Sequence, residues 1–318
     1  MSGEFKHIPI MAKEIVEYLV PDANKSYKLI DGTLGYAGHS SLFLEKNPNL
    51  QLLGIDRDVD ALKSSSERLA FASDRVFLKR GDYSQLADFA EEIGWDSVDA
   101  ILLDIGISSP QIDNPNRGFA HRFDGPLDMR MDRRNSLTAS RVVNLYDREQ
   151  LFSVFKEYGE IKHPRKLVEE ILKMRKIAPL TKTSELRDIC ETVFGKGKRG
   201  QLPVATLCFQ ALRIEVNSEL EQLRKGLEEG LKLLAVGGRF AVITFHSLED
   251  RIVKQFFKEH SLDCICPPGL PVCVCDHKAD LKLLSRKPFT ASKGEVSENS
   301  RSACAKLRII EKIREKGE

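Results

Sequence analysis

Three largely aliphatic runs in the first third of the chain each close on an aspartate: Tyr27–Asp31, Leu52–Asp56 and Val98–Asp104. Short runs this apolar read as strands covered on both faces, the pattern of a parallel sheet. Val76–Lys79 reads as a fourth strand. The segments between them, His39–Glu45, Asp58–Phe71 and Ser84–Ile93, carry helical patterns. Strands alternating with helices at this spacing require right-handed crossovers and predict a doubly wound, mostly parallel α/β sheet. In such a sheet the carboxyl ends of the strands share one edge, where ligands bind. Burying a carboxylate is costly, so an acid that closes an aliphatic strand points to a ligand rather than to packing.

The strand signal stops after Ser109. A loop rich in Gly, Pro, Asp and Arg follows from Pro110 to Asn135, then helical patterns at Leu137–Leu145, Arg148–Tyr158, Pro164–Ile177 and Thr183–Phe194. A polar break, Gly195 to Gly200, closes this segment. A long helix is expected from Val204, with Leu220, Leu223, Leu227, Leu231 and Leu234 as its apolar stripe and Gly237-Gly238 as its stop. Strand Arg239–Phe245 and helix Ser247–Lys258 come next, and Leu281–Phe289 with Ala305–Ile313 suit a closing antiparallel edge hairpin. The expected organisation is therefore one α/β domain, residues 1–111 and 204–318, interrupted by a helical insert at 112–203 that is a candidate for RNA recognition. There are no internal repeats.

Net charge is only +2, so a nucleic-acid surface must come from local clustering. No apolar run reaches the length of a membrane span, and Met1–Glu14 lacks an apolar signal core. A cytoplasmic protein with no membrane partner is expected. Of seven cysteines, Cys190, Cys208 and Cys304 are scattered and read as buried small apolar residues.

The first strand runs into Asp31-Gly32-Thr33-Leu34-Gly35-Tyr36-Ala37-Gly38-His39. Glycines at 32, 35 and 38 do not match the dinucleotide pattern G-x-G-x-x-G, which disfavours a nicotinamide dehydrogenase. A leading acid with looser glycines suits S-adenosyl-L-methionine, which presents an ammonium and a carboxylate instead of a pyrophosphate. Asp56, closing the next strand, is placed to accept both ribose hydroxyls. Gly81-Asp82-Tyr83 should lie beside the adenine. Tyr83 then packs on the ring and Asp82 takes the amino group, or Tyr83 is a core aromatic and Asp82 or Ser84 a helix cap; both readings stay open. Asp104 delivers a further acid to the same edge.

Several strings together are specific. Asp31–His39, Asp104 to Gln111, Arg117-Gly118-Phe119, Asp124 to Asp132, Arg213 to Glu219 and Phe245 to Arg251 resemble the bacterial 16S ribosomal RNA cytosine-N4 methyltransferase family, the RsmH (formerly MraW) type. The likeness runs from His7 to about Ile310. It implies a Rossmann-like class I methyltransferase domain with an inserted helical domain, and a substrate cytidine in the decoding region of 16S ribosomal RNA or of the small ribosomal subunit. It places cofactor contacts on Ala37, Gly38, His39, Asp56, Tyr83, Asp104 and Gln111, beside Asp31, Gly32 and Gly35 of the same turn. Ala37 stands where many relatives have glycine, and a positive φ there would be strained. The oligomeric state is left open, a homodimer among the options.

The sulfonium methyl is already electrophilic, so no metal is needed for transfer. The difficulty is the cytosine amino group, whose lone pair is delocalised into the ring. It must be held in line and its protons given acceptors. Asp104 and the carbonyls around Ser108 and Ser109, rigidified by Pro110, are the candidates; Asp104, Ser109 and Pro110 are the expected catalytic set. Stacking on the base falls to Phe119, Phe123 or Phe245. His246, Ser247 and Asp250 do not form a hydrolase triad, because Ser247 directly follows His246 and no nucleophile elbow is present. Ser247 reads as a helix cap and His246 as a substrate contact.

The segment Arg117–Arg134 interleaves Arg117, Arg122, Arg130, Arg133 and Arg134 with His121, Phe119 and Phe123, which suits phosphate contact and base stacking. Asp124, Asp128 and Asp132 allow instead an internally salt-bridged loop. Arg117, Phe119, Arg130 and His246 are the expected substrate residues. Lys196, Lys198 and Arg199 form a second basic patch, and Arg286, Lys287 and Lys293 a third. Cys264-Ile265-Cys266 and Cys273-Val274-Cys275 flank Pro267 to Pro271. Two C-x-C pairs can ligate zinc, but the common structural spacing is C-x₂₋₄-C, so a reduced or redox-labile loop is the leading reading and no metal is assigned. The resembling family does not require these cysteines. A DNA amino-methyltransferase and a non-catalytic assembly factor that binds the cofactor are the competing functions.

Overall fold

The computed structural model describes residues 9–196, 202–267, 270 and 272–315. Two compact units emerge: Met1–Gly106 with Leu220–Glu318, and Ile107–Glu219.

In the first unit, seven strands among the described residues form one sheet in the order β3-β2-β1-β4-β5-β7-β6. They are β1 (Tyr27–Asp31), β2 (Leu50–Asp56), β3 (Val76–Arg80), β4 (Val98–Asp104), β5 (Leu234–Thr244), β6 (Leu281–Leu283) and β7 (Lys306–Lys312). β1 to β5 are mutually parallel, and β7 runs antiparallel to both β5 and β6. This is the doubly wound, Rossmann-like arrangement that the sequence predicts, closed by one antiparallel strand. The reason the strands read as continuous apolar runs is visible in the packing. Leu29, Leu52, Leu102 and Ala241 enter a core on one face, while their neighbours Ile30, Leu53, Leu103 and Val242 enter a second core on the other. Helices α1 (Ala12–Leu19), α2 (Gly38–Lys46), α3 (Val59–Arg68) and α4 (Leu86–Glu92) belong to this unit.

The second unit begins with α5 (Ser109–Asp113) and continues through α6 (Ala139–Leu145), α7 (Arg148–Ser153), a π-helical turn at Val154–Tyr158, α8 (Arg165–Met174), α9 (Thr183–Phe194) and α10 (Val204–Asn217). It has its own core, in which Phe155, Leu167, Ile171 and Leu186 meet Cys208 and Leu212 of α10. The helical unit therefore extends to Glu219 rather than stopping at 203, because the apolar face of α10 completes its core.

Other boundaries differ in instructive ways. The long helix expected from Val204 is two: Ser218 takes a left-handed φ of 50°, and α11 (Glu219–Leu233) starts anew. Leu223, Leu227 and Leu231 do form its buried stripe, but Leu234 already belongs to β5. Gly237-Gly238 is not a helix stop. It lies within β5, where the register against β4 shifts between Val98 and Ala100, a bulge that carries Gly237 at φ 83°. Pro110 is not in a loop but in the first turn of α5. After α12 (Ser247–His260), the expected closing hairpin is a three-residue β6 and a longer β7, separated by α13 (Lys293–Glu298); Phe289 joins only through a single bridge to Leu307. Cys190 and Cys208 are buried as expected, whereas Cys304 is exposed. Among the described residues no helix is long and apolar enough to cross a membrane. Of the second basic patch, Lys198 and Arg199 lie outside the described residues; Arg286, Lys287 and Lys293 are all exposed.

Candidate active site

The carboxyl edge of the sheet gathers the acids. β1 lies between β2 and β4, so Asp31, Asp56 and Asp104 close three adjacent parallel strands. Asp31 pairs in register with Gly54 and Leu102, which leaves Asp56 and Asp104 each two residues further out along the edge.

Each acid is anchored differently. Asp31 is buried and accepts hydrogen bonds from the Ser40 hydroxyl (2.6 Å) and the Thr33 N–H (3.2 Å). Burial nevertheless pushes its carboxyl up to about 6. Asp56 accepts from the Gly35 N–H on one oxygen and the Asp58 N–H on the other, both at 2.8 Å. Burial raises it as well, against those two bonds. Asp104 has no such support. Its backbone N–H donates to the Thr33 hydroxyl at 2.6 Å, but its Oδ1 is buried without a hydrogen-bond partner among the described residues. Burial, with the nearby carboxylates of Asp31 and Glu249, pushes Asp104 up to about 7.

The glycine turn is a sequence of unusual backbone states. Gly35 sits at φ 53° and Ala37 at φ 56°, the left-handed region that an alanine occupies only against strain. Ala37 is the N-cap of α2 and provides no side-chain bond there, and the buried Gly38 opens the helix. Asp56 and the Ser65 hydroxyl, which donates to the Gly35 carbonyl at 2.6 Å, hold the turn from both sides. Gly32 backs directly onto Leu103 and Tyr83. His39 is buried, with Nε2 2.9 Å from the Ile10 carbonyl. A carbonyl can only accept, so Nε2 carries hydrogen, and Nδ1 faces Asp104 Oδ2 at 3.8 Å.

At residues 82 and 83 the fold shows capping and packing contacts. Asp82 caps the following turn through the Ser84 N–H and pairs with the Arg57 guanidinium. Tyr83 is buried in the sheet's second core, with the Arg57 guanidinium 6.0 Å from its ring centre. At the end of β5, His246 rather than Ser247 is the N-cap of α12, in a capping box with Glu249. Its Nε2 lies 2.9 Å from Glu249 Oε1, although the two are not aligned for a hydrogen bond. Asp250 is bound by Lys306 and Arg308, a structural pairing.

In the helical unit, Ser108 is the N-cap of α5, and the Gln111 side chain accepts from its N–H at 3.2 Å. The Ser108 carbonyl already accepts from the Ile112 N–H (3.1 Å), so Gln111 and Ser108 both serve the helix start. The arginine loop behaves largely as an internally bonded one. Arg117 is buried and donates to the Arg130 and Met131 carbonyls, both at 3.1 Å. Phe119 belongs to the helical core. Arg130 is bidentate to Asp128 and also donates to the Arg133 and Asn135 carbonyls. Arg134 pairs with Asp132, and Arg122 with Asp113. These contacts put Arg117, Phe119 and Arg130 to use in shaping the loop. Gly118 is a tight point of it: it has φ 71°, and a Cβ there would stand 2.0 Å from the Pro126 carbonyl oxygen. Gly118→Ala should lower stability by about 3 kcal/mol, which denaturant unfolding of the full chain can read; a change below about 0.5 kcal/mol would contradict this geometry.

Thr33, Ser40 and Glu249 escaped the sequence reading. All three lie in or beside the strings named above; the Thr33 and Ser40 hydroxyls carry no local signal that marks them as partners of Asp104 and Asp31. For Glu249 a signal existed: a glutamate three residues after a helix start marks a capping box.

The profile of the MraW methylase family matches residues 4–313. Over 310 residues the chain is 44% identical to the ribosomal RNA small subunit methyltransferase H of Caldicellulosiruptor saccharolyticus, covering 97% of this chain and 100% of that one. It is 44% identical to the protein of the same description from Syntrophotalea carbinolica (97% and 98% covered) and 43% identical to that from Carboxydothermus hydrogenoformans (98% and 99%).

Proposed function

The chain belongs to the MraW methylase family, and from that membership we propose that it transfers a methyl group from S-adenosyl-L-methionine to the exocyclic N4 of a cytidine in the decoding region of 16S ribosomal RNA. The observation that carries the chemistry is the convergence of Asp31, Asp56 and Asp104 with the Gly35–Ala37 turn on one sheet edge, where Asp104 keeps a buried oxygen with no hydrogen-bond partner among the described residues. The donor set fits the cofactor. Each Asp56 oxygen takes one backbone N–H and retains lone-pair capacity for a ribose hydroxyl. Asp31 and Asp104 offer negative charge to a sulfonium nucleoside that also bears an ammonium. Gly32, Gly38 and His39 shape the same turn, and Tyr83 backs it.

When bound, the donor supplies an activated methyl on sulfur. The chain's residues supply the rest. Asp104 accepts a hydrogen bond from the N4 amino group and stabilises the positive charge that grows there during transfer. Thr33 holds the backbone of Asp104, and His39 steadies its carboxyl. Ser109 and Pro110, five residues and six residues on in the chain, remain the further catalytic positions of this reading. Gln111 contributes by fixing the start of α5. For the substrate, Arg117, Phe119 and Arg130 act by holding the shape of the arginine loop, and His246 by capping α12. The helical unit is the RNA-recognition element, the small ribosomal subunit the physiological partner and the cytoplasm the compartment. The described relatives are ribosomal RNA methyltransferases, so methylation of duplex DNA and a non-catalytic assembly role are not favoured.

The test is incubation with isotopically labelled donor and small subunits, then nucleoside analysis. Label in N4-methylated cytidine is expected; label in any other nucleoside overturns the assignment.

The Asp104 environment adds a pH signature. An acid pushed up to about 7 is protonated below that pH and then neither attracts the sulfonium nor accepts the amino hydrogen. kcat/KM for the donor should fall about tenfold per pH unit below the transition. Below about 6 Asp31 should steepen the fall. A profile flat from pH 5 to about 8 would refute this role.

A further inference from the structure

The loop between α12 and β6 contains four cysteines that no step above uses. Cys264, Cys266, Cys273 and Cys275 place their sulfurs within 4.8 Å of one another. Three of the separations are Cys266–Cys273 4.0 Å, Cys273–Cys275 3.5 Å and Cys264–Cys275 3.8 Å. A Zn–S bond of about 2.3 Å in a regular tetrahedron sets sulfurs about 3.8 Å apart. A disulfide would need about 2.05 Å between one pair and would leave the pairs unrelated. The four sulfurs form a single cluster instead.

The backbone around the cluster is reciprocal. The Ile265 N–H, inside the first C-x-C pair, points to Cys275 Sγ at 3.4 Å, and the Val274 N–H, inside the second, points to Cys266 Sγ at 3.4 Å. Backbone donors aimed at sulfur stabilise thiolate over thiol, the usual support for metal-bound cysteine. Among the described residues of the loop, Ile265, Val272 and Val274 are exposed, with Val274 at 74%, and contribute no apolar core. Its neck is closed by the His260 ring against Asp280 (2.9 Å) and by the Asp280 N–H donating to the His260 carbonyl (3.0 Å).

We propose that Cys264, Cys266, Cys273 and Cys275 form a closed structural zinc site that fixes this loop. Spacing alone argued against zinc, because a C-x-C pair is shorter than the common structural motif. Two such pairs folded face to face bring all four sulfurs within 4.8 Å of one another, three of the separations lying at 3.5–4.0 Å, which spacing does not reveal. With every position taken by cysteine, no site is left for water or substrate, so the metal is structural and separate from methyl transfer. Binding releases thiol protons, so affinity falls with acid.

The test uses the full-length chain, reduced, stripped with chelator and titrated with Co²⁺ and then Zn²⁺. Expected is the spectrum of tetrahedral cobalt tetrathiolate at about one ion per chain, bleached by zinc. The double variant Cys273→Ser/Cys275→Ser should bind zinc at least about a thousandfold more weakly while keeping its far-ultraviolet circular dichroism and donor binding. The proposal is overturned if the reduced wild-type chain gives no thiolate–cobalt absorption. It is equally overturned if zinc binding survives the double substitution, or if the native loop proves to carry two disulfides.

Discussion

Asp104→Ala should reduce methyl transfer by about a thousandfold or more, because it removes the acceptor and the charge at the developing cation together. The same change should make the ligand-free protein more tolerant of neutral pH. Asp104 is held up at about 7, well above the unfolded carboxylate value of about 3.9. The folded state therefore binds the proton more tightly than the unfolded one. The stability this contributes is fully present below about pH 4 and is lost as pH rises through about 7. Alanine has no proton to lose, so the fall in stability across that window should flatten. The combination separates a catalytic role from a structural one: activity collapses while the fold gains at neutral pH. Asp104→Asn tests charge alone, since the amide keeps an acceptor oxygen of similar shape but cannot ionise. Single-turnover transfer of labelled methyl is the measurement. An Asp104→Ala enzyme within about tenfold of wild-type would remove Asp104 from the chemistry.

The second large effect is expected at Asp56. Its two oxygens each hold a backbone N–H and are the proposed acceptors of the ribose hydroxyls. Hydrogen bonds to a charged acceptor are worth about 1.5–3 kcal/mol each, so Asp56→Ala should weaken donor binding by about a hundredfold or more. Part of that loss is indirect, because the Gly35 N–H would lose its anchor and the turn its shape. The kinetic form distinguishes this residue from Asp104: the damage at Asp56 should appear mainly in KM for the donor, with much of kcat recovered at saturation. Titration calorimetry with the demethylated product reads the affinity directly. A change under about threefold would move the ribose contact elsewhere.

The arginine loop shows what a local reading leaves open. Arginines interleaved with aromatics suit an RNA surface, while the alternating aspartates equally allow an internally salt-bridged loop. In the fold those aspartates are the partners: Asp128 holds Arg130 and Asp132 holds Arg134. Arg117 is spent on two carbonyls. Local sequence shows which charges are available but not which of them the backbone brings within bonding distance. Ala37 is a different case. The sequence marked a positive φ there as strained without deciding whether the alanine adopts it; the fold does, at φ 56°.

What the sequence by itself determined is the sheet and its chemistry-bearing edge. Parallel strands covered on both faces need continuous apolar runs, and the ends of β1, β2 and β4 need no tertiary information to be recognised because each closes on an acid. Only the folded chain decided the rest. That Leu234–Gly238 is a bulged strand rather than the end of a helix depends on its pairing with β4. That α10 belongs to the helical core depends on residues far away in sequence. That four cysteines form one cluster depends on two pairs, with seven residues from Cys266 to Cys273, being folded face to face. Hydrophobic periodicity is a local property and survives in the sequence. Partner choice is set by long-range packing and by the high cost of leaving a buried polar group unpaired, and neither is visible until the chain has closed on itself.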